Sequence, residues 1–284
     1  MNATAATANS APGQAPASTP WDLWLRQLQG ILRLELRKNI FSARALPMYL
    51  LAGLPIFLLG CVVILPVFSH LRANVHASQF FAVLYNGYFM VALFISSLFL
   101  FTQLFRGDLM DRSLHYYFLC PVRRELLVAA KFAAGLVSSA LVLSTSALIS
   151  YLLVALNFEQ GPQPGTLVGH ALAYTGITAL GCLGYGSLFM LAGLYFKNPV
   201  IAPFSLFLWE FINPFLPAVL KKISVLHYLV SLLPVRPSSS NFFEILIEPT
   251  SPWLSVPGLL LVSAVALLLA ARKIRRTEIT YAED

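Results

Sequence analysis

The densest polar chemistry in this 284-residue chain lies in RGDLMDRSLHYYFLCPVRRE, residues 106–125. Arg106, Asp108, Asp111, Arg112, Arg123, Arg124 and Glu125 crowd together there, although only 11% of the chain is charged. Asp108, Asp111, Arg112 and His115 recur at helical spacing on one face, with Met110, Leu114, Tyr117 and Phe118 on the other. The motifs of bond-making are missing: there is no H-E-x-x-H and no G-x-S-x-G, and the five histidines form no pair at three or four residues. Nor does the chain contain G-x-x-x-x-G-K-[ST] or another phosphate-cradling loop, so it is expected to hydrolyse no nucleotide itself. Three cysteines without paired spacing point to neither a disulfide framework nor a zinc site.

The elements that must position this patch are membrane helices. At 58% apolar residues, the sequence lacks the polar surface to cover a water-soluble globule. A helix needs about 20 residues to cross the hydrocarbon core, and six apolar runs have that length: 46–68, 81–105, 132–156, 167–196, 200–220 and 253–271. They are continuous rather than alternating, which excludes a barrel. Prolines 47, 55 and 66 in the first run, and 203, 214 and 217 in the fifth, are set to bend them.

Ahead of the runs, residues 1–20 are uncharged and of low complexity, the composition of a disordered tail. Residues 21–44 read as an amphipathic helix. Arg26, Gln29, Gly30, Arg33 and Arg37 share one face, Trp21, Trp24, Leu28, Ile31 and Leu32 lie broadly opposite, and Glu35 breaks the apolar side. A basic stripe facing tryptophan and leucine suits the bilayer interface.

Six spans put both termini on one side, and charge selects it. Arg26, Arg33, Arg37, Lys38, Arg44, Arg106, Arg112, Arg123, Arg124, Lys131, Lys197, Arg272, Lys273, Arg275 and Arg276 fall on the side of the termini, against Arg72, Lys221, Lys222 and Arg236 opposite. The basic side is cytoplasmic. The same rule accounts for the net charge of +7 without nucleic acid, whose binding needs one contiguous basic face. The patch thus forms a short cytoplasmic helix, ended by Pro121 and joined stiffly to the third span behind Arg123 and Arg124.

From Asp108 to Lys131 the run D-L-x-x-x-S-L-x-x-Y-x-x-x-P-x-x-R-x-x-x-x-x-x-K resembles the cytoplasmic loop of type-2 ABC exporter permeases. Asp108, Leu109, Ser113, Leu114, Tyr117, Pro121, Arg124 and Lys131 carry the match; Cys120 and Ala130 depart from it, where a basic residue and a glycine often stand. The resemblance implies an all-α polytopic membrane protein: an N-terminal interfacial elbow helix, a six-span permease domain over 45–272, and a cytoplasmic tail over 273–284. It implies a coupling helix between spans two and three, docked through Asp108, Asp111, Arg112, His115, Tyr117, Pro121, Arg123 and Arg124 into an ATP-binding subunit. The partners would be two such subunits, which hold the ATP and Mg, a second permease chain, alike or different, and the lipid bilayer. The place would be the inner cell membrane. A six-span channel, or a membrane scaffold without an ATPase, is the alternative.

Two features stand apart from the loop. Glu210 falls inside the fifth run, with Asn213 one turn on, and an intramembrane carboxylate is a functional candidate by default. It either borders the translocation path or hydrogen-bonds a neighbouring helix. Gly184-Tyr185-Gly186 has the letters of a potassium filter but no pore helix before it, so Gly181, Gly184, Gly186 and Gly193 are expected to permit close helix approach instead.

Overall fold

A computed structural model describes residues 20–42, 45–110, 124–196, 201–236 and 250–275. These residues form helices and no strand. The chain runs through α1 (Pro20–Phe41), α2 (Leu46–Ile64), α3 (Ser69–Asn74), α4 (Ala77–Leu84), α5 (Met90–Met110), α6 (Arg124–Asn157) and α7 (Pro164–Tyr195). It continues with α8 (Ile201–Ile212), α9 (Ala218–Lys221), α10 (Val225–Ser231) and α11 (Pro252–Arg275). A single π-helical turn, Tyr85–Phe89, joins α4 to α5 without a break in the rod.

Among the described residues five rods are long and apolar enough to cross a membrane: 46–64, 77–104, 126–157, 164–195 and 252–274. They match the first four expected runs and the sixth, and the protein is a polytopic helical membrane protein. The surface agrees with that. Leu50, Leu54, Phe57 and Leu58 on α2 are exposed, as are Leu254, Leu260, Leu261, Val265 and Leu268 on α11. Apolar patches of that extent do not persist in water on a monomer.

The fifth run differs from expectation. Among its described residues it holds α8, 12 residues and about 18 Å long. After Ile212 the chain makes a 3-10 turn at Asn213–Phe215, and Leu216 is extended. The cause is local: Pro214 lacks the N–H that would continue the helical ladder, and Pro217 pushes Leu216 before it out of the α region.

Helix α7 is the centre of the bundle, packed on α5, α6 and α11. Glycines make that packing close. A β-carbon on Gly186 would lie 2.6 Å from the Phe101 ring, and one on Gly193 would lie 3.0 Å from the Thr102 carbonyl oxygen. Gly181 and Gly184 meet Leu93, Leu229, Leu259 and Val225 in the same way. These glycines serve helix approach, as expected from the sequence.

Two contacts order the last helices. Leu259 of α11 meets α7 at Gly184, and Lys273 Nζ lies 5.0 Å from the centre of the Tyr195 ring. Residue numbers therefore rise together, and α11 runs parallel to α7. Helix α10 runs the other way, because Val225 meets Gly184 whereas Leu229 meets Gly181.

Pro55 sits inside α2 and leaves the carbonyl of Leu51 without its helical donor. Among apolar neighbours an orphan carbonyl costs several kcal/mol. Tyr88, on the π turn, donates its hydroxyl to Leu51 O at 2.7 Å, and Ser146 of α6 donates to the adjacent Ala52 O. Tyr85, on the same turn, faces α7 and lies 2.8 Å from Thr178 Oγ1. The turn thus aims two tyrosines at two different helices.

Candidate functional site

Where the ends of α1, α5 and α6 meet, two charged groups are buried together. Lys131 is 0% exposed and Glu35 is 1% exposed. Lys131 Nζ donates to Glu35 Oε1 and, at 3.3 Å, to the backbone carbonyl of Leu104. One ammonium group therefore ties three helices: α1 through Glu35, α5 through Leu104, and α6 on which it stands. Burial without a partner would be prohibitive for either charge, so the three helices are held in one arrangement.

The pair explains the irregularity in α1. The face expected to be basic is the exposed one, with Arg26, Gln29, Gly30, Arg33 and Arg37 outward and Leu28, Ile31 and Leu32 half-buried. Glu35 lies on the buried side because Lys131 awaits it there. The sequence does contain the signal: one acid on the apolar side of α1, and one lysine well inside an apolar helix. What it lacks is any mark pairing residues 96 positions apart.

This knot borders the segment read as a coupling helix. Asp108 is in the last turn of α5, and Arg124 is the first residue of α6. Asp111, Arg112, His115, Tyr117, Pro121 and Arg123 lie outside the described residues.

The second candidate stands at the break after α8. Glu210 is buried; its carboxylate accepts from Ser224 Oγ and, at 3.2 Å, from the backbone N–H of Val225. Ser224 in turn accepts from His227 N at 3.2 Å. The first N–H groups of α10 have no helical acceptors, and a carboxylate with a serine supplies them. Asn213 is not part of this cap: its Nδ2 donates to Leu220 O at 3.4 Å, closing the loop before α10. The two residues, one turn apart, thus have different hydrogen-bond partners. A little further on, His227 Nε2 lies 2.8 Å from Thr250 Oγ1.

Among the described residues no three His, Cys, Asp or Glu side chains gather as a metal site. Compared with known proteins, the chain matches no family model, no curated protein and no solved structure.

Proposed function

We infer that this chain is the membrane-spanning permease subunit of an ATP-driven exporter of the type-2 ABC kind. The observation that carries the reading is the Lys131–Glu35–Leu104 knot, beside the segment that resembles a coupling helix. A push on that segment reaches α5 and α6 through the chain and α1 through the ion pair. None of the three helices can lag without exposing a buried charge to apolar surroundings. ATP and Mg belong to a separate ATPase subunit, present in two copies. ATP moves the equilibrium because it binds the closed form of that subunit better than the open one.

The topology fits six crossings. Helices α7 and α11 are parallel, which supports a return of the chain across the bilayer between Tyr195 and Pro252. The return is made in two pieces, α8 and α10, with Glu210 at their joint. Discontinuous helices at membrane depth accompany transport sites, because they place polar groups and helix ends where a straight helix has none. With six crossings, the basic loops and both termini face the cytoplasm. A second permease chain, alike or different, completes the transporter in the inner cell membrane.

The experiment is co-purification with a candidate Walker-type ATPase, using Asp108→Arg and Arg124→Glu. The expected result is lost assembly, or loss of the ATP turnover that the permease stimulates. Unchanged assembly and turnover in both variants would discard the docking role. A six-span channel would instead pass ions in liposomes without nucleotide.

A further inference from the structure

Along the outward side of α1 runs an open groove of about 690 Å³, lined by Gly30, Arg33, Leu34, Arg37, Lys38, Phe41 and Ser42. Its chemistry is of two kinds. Arg33 and Arg37 are one helical turn apart and both exposed, so two guanidinium groups point from the same face. Leu34 is 55% exposed and Phe41 is 83% exposed, which is costly for such side chains in water. Next in the described chain, Leu46 and Leu50 of α2 are exposed as well.

The acid of this stretch does not offset the arginines. Glu35 lies on the opposite face, buried against Lys131, and Arg33 and Arg37 are exposed. The groove therefore presents positive charge beside apolar surface at the point where the chain enters its first membrane helix. A free phosphate would satisfy the guanidinium groups and leave Phe41 and Leu34 in water. An anionic phospholipid satisfies both, its phosphodiester between the arginines and its acyl chains against the apolar side chains.

We propose that the Arg33–Arg37 groove of α1 is a binding site for an anionic phospholipid of the cytoplasmic leaflet. It goes beyond the transport reading and rests on that reading only for the placement of α1 at the cytoplasmic membrane surface. Bound there, the lipid fixes the height of α1, and through Glu35 and Lys131 the height of α5 and α6.

The test uses the full-length protein in nanodiscs of phosphatidylcholine with or without 30% phosphatidylglycerol (roughly the anionic fraction at which such steering is strong). Native mass spectrometry counts the lipids retained on release. Wild type is expected to keep phosphatidylglycerol in preference to phosphatidylcholine. Each arginine removed should weaken retention about fivefold, so Arg33→Gln with Arg37→Gln should abolish the preference. Both side chains are exposed, so folding is not at stake, and Arg33→Lys with Arg37→Lys should restore part of it. Excess inorganic phosphate should not displace the lipid. Equal retention of both lipids by wild type, or an unchanged preference in the glutamine variant, would overturn the proposal. So would displacement by inorganic phosphate, which would mark a free-anion site. A glutamine variant that keeps its phosphatidylglycerol but loses an ATPase partner would overturn it in favour of a protein surface.

Discussion

Lys131 and Glu35, 96 residues apart in sequence, form a buried ion pair that joins the N-terminal amphipathic helix to the start of the third membrane helix. Lys131→Met takes the ammonium group away from the buried Glu35 carboxylate. Breaking such a pair costs about 3–5 kcal/mol, which should lower the melting temperature in detergent by on the order of 10 °C. Lys131→Met combined with Glu35→Leu removes both charges and should recover most of the loss. If the pair also transmits motion, the double variant will be stable yet poorly stimulate a partner ATPase. Full stimulation by the stable double variant would restrict the pair to a structural role.

Tyr88 should matter only because of Pro55. Tyr88→Phe leaves the Leu51 carbonyl without a donor and is expected to cost about 1–2 kcal/mol. In a Pro55→Ala background the helix supplies its own N–H to that carbonyl, and the cost of Tyr88→Phe should shrink to a few tenths of a kcal/mol. A thermal-stability double-mutant cycle reads this directly. Equal costs in both backgrounds would contradict the hydrogen-bond account.

Glu210 separates a cap from a path. Glu210→Gln keeps a carbonyl oxygen that can accept from Val225 N, so stability should fall by less than about 1 kcal/mol. Glu210→Leu strips the acceptors from Ser224 and Val225 and should cost about 1–3 kcal/mol. If Glu210→Gln is stable and transports normally, the carboxylate serves only to hold α10. Lost transport at unchanged stability would place it on the substrate's route.

Gly193 faces backbone, not a side chain that can turn away. A β-carbon there would sit 3.0 Å from Thr102 O and 3.2 Å from its Cα. Gly193→Leu should therefore separate α5 from α7, with a loss of about 1–3 kcal/mol. Gly176 is the control, because nothing lies within 4 Å of its β-carbon position and Gly176→Ala should be tolerated. Comparable losses at the two positions would rule out close approach as the reason for Gly193.

Some of this architecture was readable in one dimension. A run of apolar residues has to be buried or face lipid wherever it falls, and its length against the bilayer decides whether it can span. That identified the runs 46–68, 81–105, 132–156, 167–196 and 253–271, where the structure has rods at 46–64, 77–104, 126–157, 164–195 and 252–274. Helical spacing alone separates the exposed arginines of α1 from its buried side. The same spacing did not reveal that the fifth run stops at Ile212, because prolines are tolerated in membrane helices wherever neighbours repair the ladder. Pro55 is repaired within a continuous helix, whereas Pro214 and Pro217 end one.

Partnership was decided by the tertiary structure. Composition states that an acid on the apolar side of α1 needs a cation, that the carbonyl before Pro55 needs a donor, and that Glu210 needs protons to accept. It does not say that Lys131, Tyr88 and Val225 meet those needs. Which groups meet depends on how rods of about 30–50 Å lie against one another. The glycines that let α7 approach its neighbours set that arrangement, and it exists only once the helices have packed.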